Sequence, residues 1–243
     1  MKTSTLMDRR RWLVLAGATA AGASGIVLAL GGKRRLGIVT QPATAGGKSD
    51  MLRVNLGFVS AYLVMRGNAA ALVDSGVEGS ADAIGDVLQG AGLGWDSLQH
   101  LILTHNHRDH QGSAAAVLER APRALVWAGP PDIPGIMVNR DVRPANDGDD
   151  LFGLRVIATP GHTPGHISLL DPELSTLLTG DALFNQNDIL SGSPERFNAD
   201  TAQANQSSRR LGELTFERAL FGHGEPIERG ASAAVRQLGT TLP

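Results

Sequence analysis

The chain contains no cysteine. Disulfides, thiolate metal ligands, a cysteine nucleophile and a lipidated cysteine are all excluded, so any metal site must be built from His, Asp and Glu. Aromatic residues make up only 4% of the 243 residues, with a single tyrosine, Tyr62. The core must therefore come from Ala, Val, Leu and Ile. Positive charge is scarce over most of the chain. Residues 1–45 hold seven of the 22 Lys and Arg but one of the 24 Asp and Glu, which leaves 15 basic against 23 acidic residues in the remainder, a net of −8. That acidic body has no basic stripe, no aromatic stacking platform and no phosphate-cradling glycine loop. These absences speak against a nucleic acid partner and for a small-molecule substrate.

What is present is concentrated. Thr104-His105-Asn106-His107-Arg108-Asp109-His110 packs three histidines and one aspartate into six positions, directly after the apolar run of residues 98–103. Neutral imidazole and carboxylate suit a borderline divalent metal such as zinc. Three further apolar runs each end in a turn carrying His or Asp: residues 154–158 lead into Thr159-Pro160-Gly161-His162-Thr163-Pro164-Gly165-His166, residues 176–178 into Thr179-Gly180-Asp181, and residues 218–221 into Gly222-His223-Gly224. Strand ends on one edge of a sheet can bring such distant residues together, and loops held by rigid elements are where catalytic groups sit.

HxHxDH, GH, GD and GH, in this order, resemble the metallo-β-lactamase superfamily of hydrolases. The segment Ala70-Ala71-Leu72-Val73-Asp74-Ser75-Gly76 is similar to the strand-Asp-x-Gly element that precedes the metal loop in that superfamily. The resemblance runs from about Val54 to Ile227. It implies an α+β fold, a four-layer αββα sandwich, where the hydrophobic pattern alone indicates only mixed α and β. It implies that His105, His107 and His162 hold a first metal, that Asp109, His110 and His223 hold a second, and that Asp181 bridges the two. Two zinc ions are expected, with iron or manganese as alternatives. Asp109 and Asp181 would offset the charge of the ions and serve as the catalytic carboxylates, with a hydroxide held between the ions as nucleophile. His105 and His107 are two apart, so an extended backbone would point both the same way.

Within this superfamily the bridging aspartate favours an ester, lactone or thioester substrate. A β-lactamase and a mononuclear iron sulfur dioxygenase are the alternatives on the same scaffold, and a silent binding module is disfavoured by seven intact ligands. Only twenty residues follow His223, so the large helical glutathione-binding domain of glyoxalase II-like enzymes is not expected. Lactonase relatives place a tyrosine near the metals, whereas Tyr62 lies far upstream. The oligomeric state is not specified.

Several other residues carry expectations. Asp74 should accept a hydrogen bond from a ligand imidazole. His166 should orient its loop and not bind metal, His100 should pack within a strand, and Thr104 and Thr179 should satisfy backbone groups. Gln111-Gly112 should allow close approach to the metals. Leu183, Phe184, Ile189 and Met137 should line an apolar pocket or pack in the core.

Residues 1–45 read separately from the body at 46–243. Asp8-Arg9-Arg10-Arg11-Trp12-Leu13 resembles a twin-arginine export signal, residues 12–30 carry no charge, and Ala43-Thr44-Ala45 is a candidate cleavage site. An uncleaved transmembrane anchor is the competing reading, because nineteen helical residues rise about 28 Å. Either places the body in the periplasm or on the outer face of the cell membrane, touching membrane only through this segment. In the body, periodicity predicts two strands within 51–66, then strands at 69–73, 98–103, 124–128, 151–158, 167–170, 176–178 and 219–221. Helices are predicted at 80–90, 113–119, 199–214 and 230–238, the third with a thin apolar face of Ala202, Leu211 and Leu214. Residues 130–135 read as a proline-rich loop.

Overall fold

A computed structural model describes residues 49–243. The export or anchor segment expected at 1–45 lies outside the described residues. No helix among the described residues is long and apolar enough to cross a membrane.

The first sheet has six strands in the order β1 (Ser49–Asn55), β2 (Ser60–Arg66), β3 (Ala69–Val73), β4 (Leu98–Leu103), β5 (Leu125–Ala128) and β6 (Val142–Pro144). β1, β2 and β3 form an antiparallel meander, and β3 through β6 run parallel. The second sheet begins with β7 (Asp150–Leu151), β8 (Leu154–Ala158), β9 (Ile167–Asp171) and β10 (Thr176–Leu178), paired antiparallel in sequence order. A separate hairpin follows, β11 (Leu183–Gln186) with β12 (Ile189–Gly192), and then β13 (Arg218–Leu220), which pairs parallel with β10. Among the described residues five α-helices accompany the sheets: α1 (Ala81–Gly90), α2 (Arg108–Gln111), α3 (Ala114–Arg120), α4 (Thr201–Gly212) and α5 (Ala231–Thr241).

The four layers follow from strands that are apolar on both faces. Successive side chains of a strand point to opposite sides. In β2, Ala61, Leu63 and Met65 pack with α1 and α3, while Tyr62 and Val64 pack against the second sheet. In β4, Leu101 and Leu103 take the helix side and Ile102 the inter-sheet side. The second sheet does the same: Val156, Leu169, Leu178 and Leu220 face the first sheet, whereas Ile157, Leu177, Ala219 and Phe221 face Leu211 of α4 and Val235 of α5. The result is helix, sheet, sheet, helix, the αββα sandwich.

Three details depart from the sequence pattern. The apolar run 151–158 is a hairpin and not one strand, because Phe152 (φ 62°) and Gly153 (φ 79°) turn the chain between β7 and β8. β6 and the β11–β12 hairpin were not expected; the latter turns on Asn187 and Asp188, both at positive φ, which is type I′ chemistry without a glycine. The buried stripe of α4 is Ala204, Asn205, Ser207, Ser208, Leu211 and Gly212, with Ala202 exposed. It can bury hydroxyls because Ser207 donates to the Pro160 carbonyl and Ser208 to that of Ala182.

Ile102 is fully buried between the sheets and Ile189 is 68% exposed. Ile102→Ala should cost about 2–5 kcal/mol of unfolding free energy, and Ile189→Ala less than about 0.5 kcal/mol, measured by denaturant titration. Equal costs would contradict this layer assignment.

Candidate metal centre

The C-terminal ends of β3, β4, β8, β10 and β13 all open on one edge of the sandwich, and the loops that leave them carry Asp74, the 104–110 segment, His162, Asp181 and His223. In the 104–110 segment His107 is extended (φ −70°, ψ 149°) and caps α2, so the chain turns helical immediately after it and sends Asp109 and His110 to another side of the site.

The seven expected residues converge as two nests joined by one carboxylate. In the first, His107 Nδ1 lies 3.0 Å from His105 Nε2 and 2.9 Å from His162 Nε2. In the second, His223 Nε2 lies 3.4 Å from His110 Nε2 and 3.3 Å from Asp109 Oδ2. Asp181 touches both: Oδ1 is 3.2 Å from His110 Nε2, and Oδ2 is 3.2 Å from His223 Nε2 and 3.5 Å from His162 Nε2. Three groups of His and Asp ligand atoms lie within 4.8 Å of one another, namely His105, His107 and His162; His105, His110 and Asp181; and Asp109, His110 and His223.

Four imidazoles are held from behind by their second nitrogen. His223 Nδ1 is 2.6 Å from the Phe58 carbonyl oxygen, and His110 Nδ1 is 2.8 Å from Asp74 Oδ2. Both partners only accept, so each Nδ1 carries a proton, and each ring presents an Nε2 lone pair to the site once its second proton has left. His162 Nδ1 meets Ser193 Oγ at 2.8 Å and His105 Nδ1 meets Thr104 Oγ1 at 3.0 Å. Thr104 in turn donates its hydroxyl and its amide to Asp74. Asp74 thus supports ligand imidazoles as expected, while Thr104 does so too and does not merely satisfy backbone. His166 stays out of the nests: its Nε2 accepts from the Asp181 amide at 2.9 Å, and its Nδ1 faces Thr159 Oγ1 at 2.8 Å.

The protons of the site sort into the two halves. Burial pushes His105 well below its ordinary value, His162 down, and His166 down to about 3. Burial pulls His110 and His223 the same way but is overruled there, by Asp181 and Asp74 at His110, which is held well above its ordinary value, and by Asp109 and Asp181 at His223, raised to about 9. Burial would lift Asp181, yet the neighbouring His110 and His223 hold it well below the usual carboxylate range. Burial thus favours the neutral form of His105 and His162, and positive charge collects at His110 and His223.

Two features fit these residues to a cation. Asp181 Oδ1 is a buried carboxylate oxygen that receives no hydrogen bond, since its approach to His110 is close but misdirected. Gly222 keeps the floor open: a Cβ there would collide with Asp181 Oδ1 and come within 2.7 Å of His110 Cε1. The close approach that Gly112 allows is to backbone, where a Cβ would meet that of Arg108 and Glu78, and not to the nests as expected.

Other residues were not singled out from sequence. Asp132, fully buried in the proline-rich loop, accepts from Asn106 N, Thr163 Oγ1 and Gly165 N at 3.1, 2.6 and 2.7 Å. It ties the His105-His107 loop to the His162 loop. Gln111 adds to this clamp by donating to the Asn106 and Gly135 carbonyls and accepting from the Met137 amide. Phe184 stacks on His223 (5.1 Å, 5°) and lines the cavity above the site, as does Phe58. Leu183 lies in the outer core, and Ile189 and Met137 are exposed and do not line that cavity. Tyr62 is buried between the sheets, donating to the Phe221 carbonyl, and His100 packs against Trp127, whose indole N–H it accepts.

A four-layer sandwich with paired His and Asp nests at its strand ends is a scaffold suited to holding metal ions. The chain belongs to the metallo-beta-lactamase superfamily, whose family model matches residues 54–135 and 121–223. It is 31% identical over 202 residues to "Probable metallo-hydrolase YflN" of Bacillus subtilis (strain 168), covering 64% of this chain and 75% of that one. It is 29% identical over 146 residues to the hydroxyacylglutathione hydrolase of Idiomarina loihiensis, covering 58% and 52%. Among solved structures, TTHA1623 in a di-iron-bound form matches with a TM-score of 0.62 and 30% identity, covering 76% of this chain and 93% of that one. The matched stretches span between about half and three quarters of the lengths of these curated relatives.

Asp132→Ala leaves two buried donors, Thr163 Oγ1 and Gly165 N, and the part-buried Asn106 N without their acceptor, each buried one worth about 1–3 kcal/mol. It should therefore destabilise the domain by about 3 kcal/mol or more in denaturant unfolding, with Asp132→Asn, which keeps one acceptor oxygen, costing less. A loss under about 1 kcal/mol would show that Asp132 does not join the loops.

Proposed function

We propose that the chain is a dinuclear hydrolase cleaving an ester, lactone or thioester bond of a small molecule. His105, His107 and His162 would hold one ion, Asp109, His110 and His223 the other, and Asp181 both. The observation that carries this reading is Asp181, a single buried carboxylate within 3.5 Å of ring nitrogens from both nests. Zinc is the first choice for histidine-rich sites of this type; iron is the alternative, favoured by the di-iron form of the TTHA1623 structure. The hydroxyacylglutathione hydrolase relatives, named for cleaving an acyl conjugate of glutathione, support an acyl-transfer substrate.

Bound ions of this kind polarise a carbonyl and bring the pKa of water towards neutrality. Asp181 Oδ1, free of donors, is placed to accept a hydrogen bond from the attacking water and align it. Water adds its oxygen to the acyl carbon, the bond to the leaving oxygen or sulfur breaks, and the leaving group departs with a proton. Phe58 and Phe184 shield His223 from bulk water meanwhile. On the twin-arginine-like sequence at Arg9-Arg10-Arg11, we place this activity outside the cytoplasm.

The test is metal content by mass spectrometry beside an ester, lactone and thioester screen. Two ions per chain with turnover is expected, and Asp181→Ala should lower metal content and reduce kcat/KM by at least about 100-fold. Full metal content and wild-type turnover in that variant would sink the scheme. A pH signature accompanies it. His223, raised to about 9, is protonated at pH 7 and must lose that proton to bind an ion. Titration with zinc should therefore release protons at pH 7, less so as pH rises through about 9. Calorimetry in buffers of unequal ionisation enthalpy reads this directly, and no buffer dependence at pH 7 would contradict it.

A further inference from the structure

The cavity over the metal centre has a volume of about 450 Å³, and its composition is unlike the rest of the chain. Of six phenylalanines in 243 residues, three line it: Phe58, Phe184 and Phe197. Phe58 is 64% exposed and Phe197 50% exposed, two of only four large apolar side chains so exposed among the described residues. Exposed aromatic rings contribute little to folding, and rings gathered at the mouth of a cavity mark a binding surface. Phe58 sits beside Gly57 (φ 94°) in the β1–β2 turn and Phe197 in the 195–197 turn, on opposite sides of the chain order but on one cavity.

The charge at this mouth is also out of character. Arg108 is exposed, lines the cavity and takes part in no ion pair among the described residues. Its acidic neighbour Asp109 is turned towards His223 and His110. A second guanidinium, Arg196, lies 4.5 Å over the Phe197 ring. On a body with a surplus of acids, an arginine with no acid to balance, beside three apolar rings, is placed to receive an anion. Its planar fork matches a carboxylate.

We propose that the substrate is an anionic, aryl- or similarly apolar-substituted ester or thioester: its apolar portion lies among Phe58, Phe184 and Phe197, and its carboxylate pairs with Arg108. This deepens the hydrolase reading and rests on it. Arg108 and the rings are specificity-determining residues and take no part in bond cleavage.

The experiment compares kcat/KM of the metal-loaded full chain on two matched pairs: benzyl hydrogen succinate against its methyl-capped neutral diester, and benzyl against methyl esters of the same acid, whose leaving alcohols are of similar acidity. Wild type should prefer the carboxylate over the neutral partner by about 10-fold or more, and benzyl over methyl by a similar factor, the size that one lost polar or apolar contact commands. Arg108→Gln should collapse the first ratio and leave the second in place, and Arg108→Lys should restore part of it. Phe197→Ala should shrink the second ratio through KM, with kcat and metal content little moved. An anionic-to-neutral ratio unchanged in Arg108→Gln, or a wild type that prefers the neutral ester, overturns the proposal. Hydrolysis of every ester without preference fails this inference alone; no hydrolysis of any ester by protein carrying its metals fails the hydrolase reading beneath it.

Discussion

The buried carboxylate of Asp181 is the constraint to which the rest of the site answers. An ionised group withdrawn from water costs several kcal/mol unless its surroundings replace the lost solvation. Here the replacement is distributed. His110 and His223 supply positive charge on one side, His162 approaches from the other, and the Asp181 amide is fixed by His166. His166 can do this because burial keeps it neutral, so that its Nε2 accepts and its Nδ1 donates to Thr159. The second carboxylates, Asp74 and Asp109, then stabilise the protonated histidines. Each ionised group of the nests has an oppositely charged neighbour, while Asp181 Oδ1 receives no hydrogen bond.

The fold makes this affordable by supplying rigidity from both sheets. Parallel pairing of β3 with β4 and of β10 with β13 points their ends the same way, so residues from widely separated parts of the chain arrive at one edge without long loops. Asp132 then couples the two loops of the three-histidine nest, and the β1–β2 turn reaches across to His223. Imidazole orientation is thereby fixed before any ligand arrives, which limits the entropy lost on binding.

Much of this was legible in the sequence, and the reason is locality. HxHxDH is contiguous, and its meaning depends on residues within six positions. The strands 98–103 and 176–178, which deliver it and Asp181, are short, predominantly apolar runs between turns. What was illegible depended on distant partners. Asp132 is one acid among 24, and only its three donors, 26 to 33 residues away, distinguish it. Phe58 looks like an ordinary turn residue until His223 is seen against its carbonyl. The β11–β12 hairpin was hidden because Asn187-Asp188 lacks the glycine that usually announces a type I′ turn. In α4, hydroxyls take the place of apolar residues on the buried face, so periodicity understated the helix.

The contact between His223 and the Phe58 carbonyl spans 165 residues of chain. A loop that long is closed only after the intervening elements have compacted, and contacts of such separation form late. During synthesis the first hairpin must wait, with its carbonyl unclaimed, until nearly the whole body has been made. The three-histidine nest draws on residues no further apart than His105 and His162 and can assemble earlier. Folding therefore has a built-in order of maturation: the nest of His105, His107 and His162 can close while that of His223 is still open, and the loop that carries His223 docks late, like a clasp.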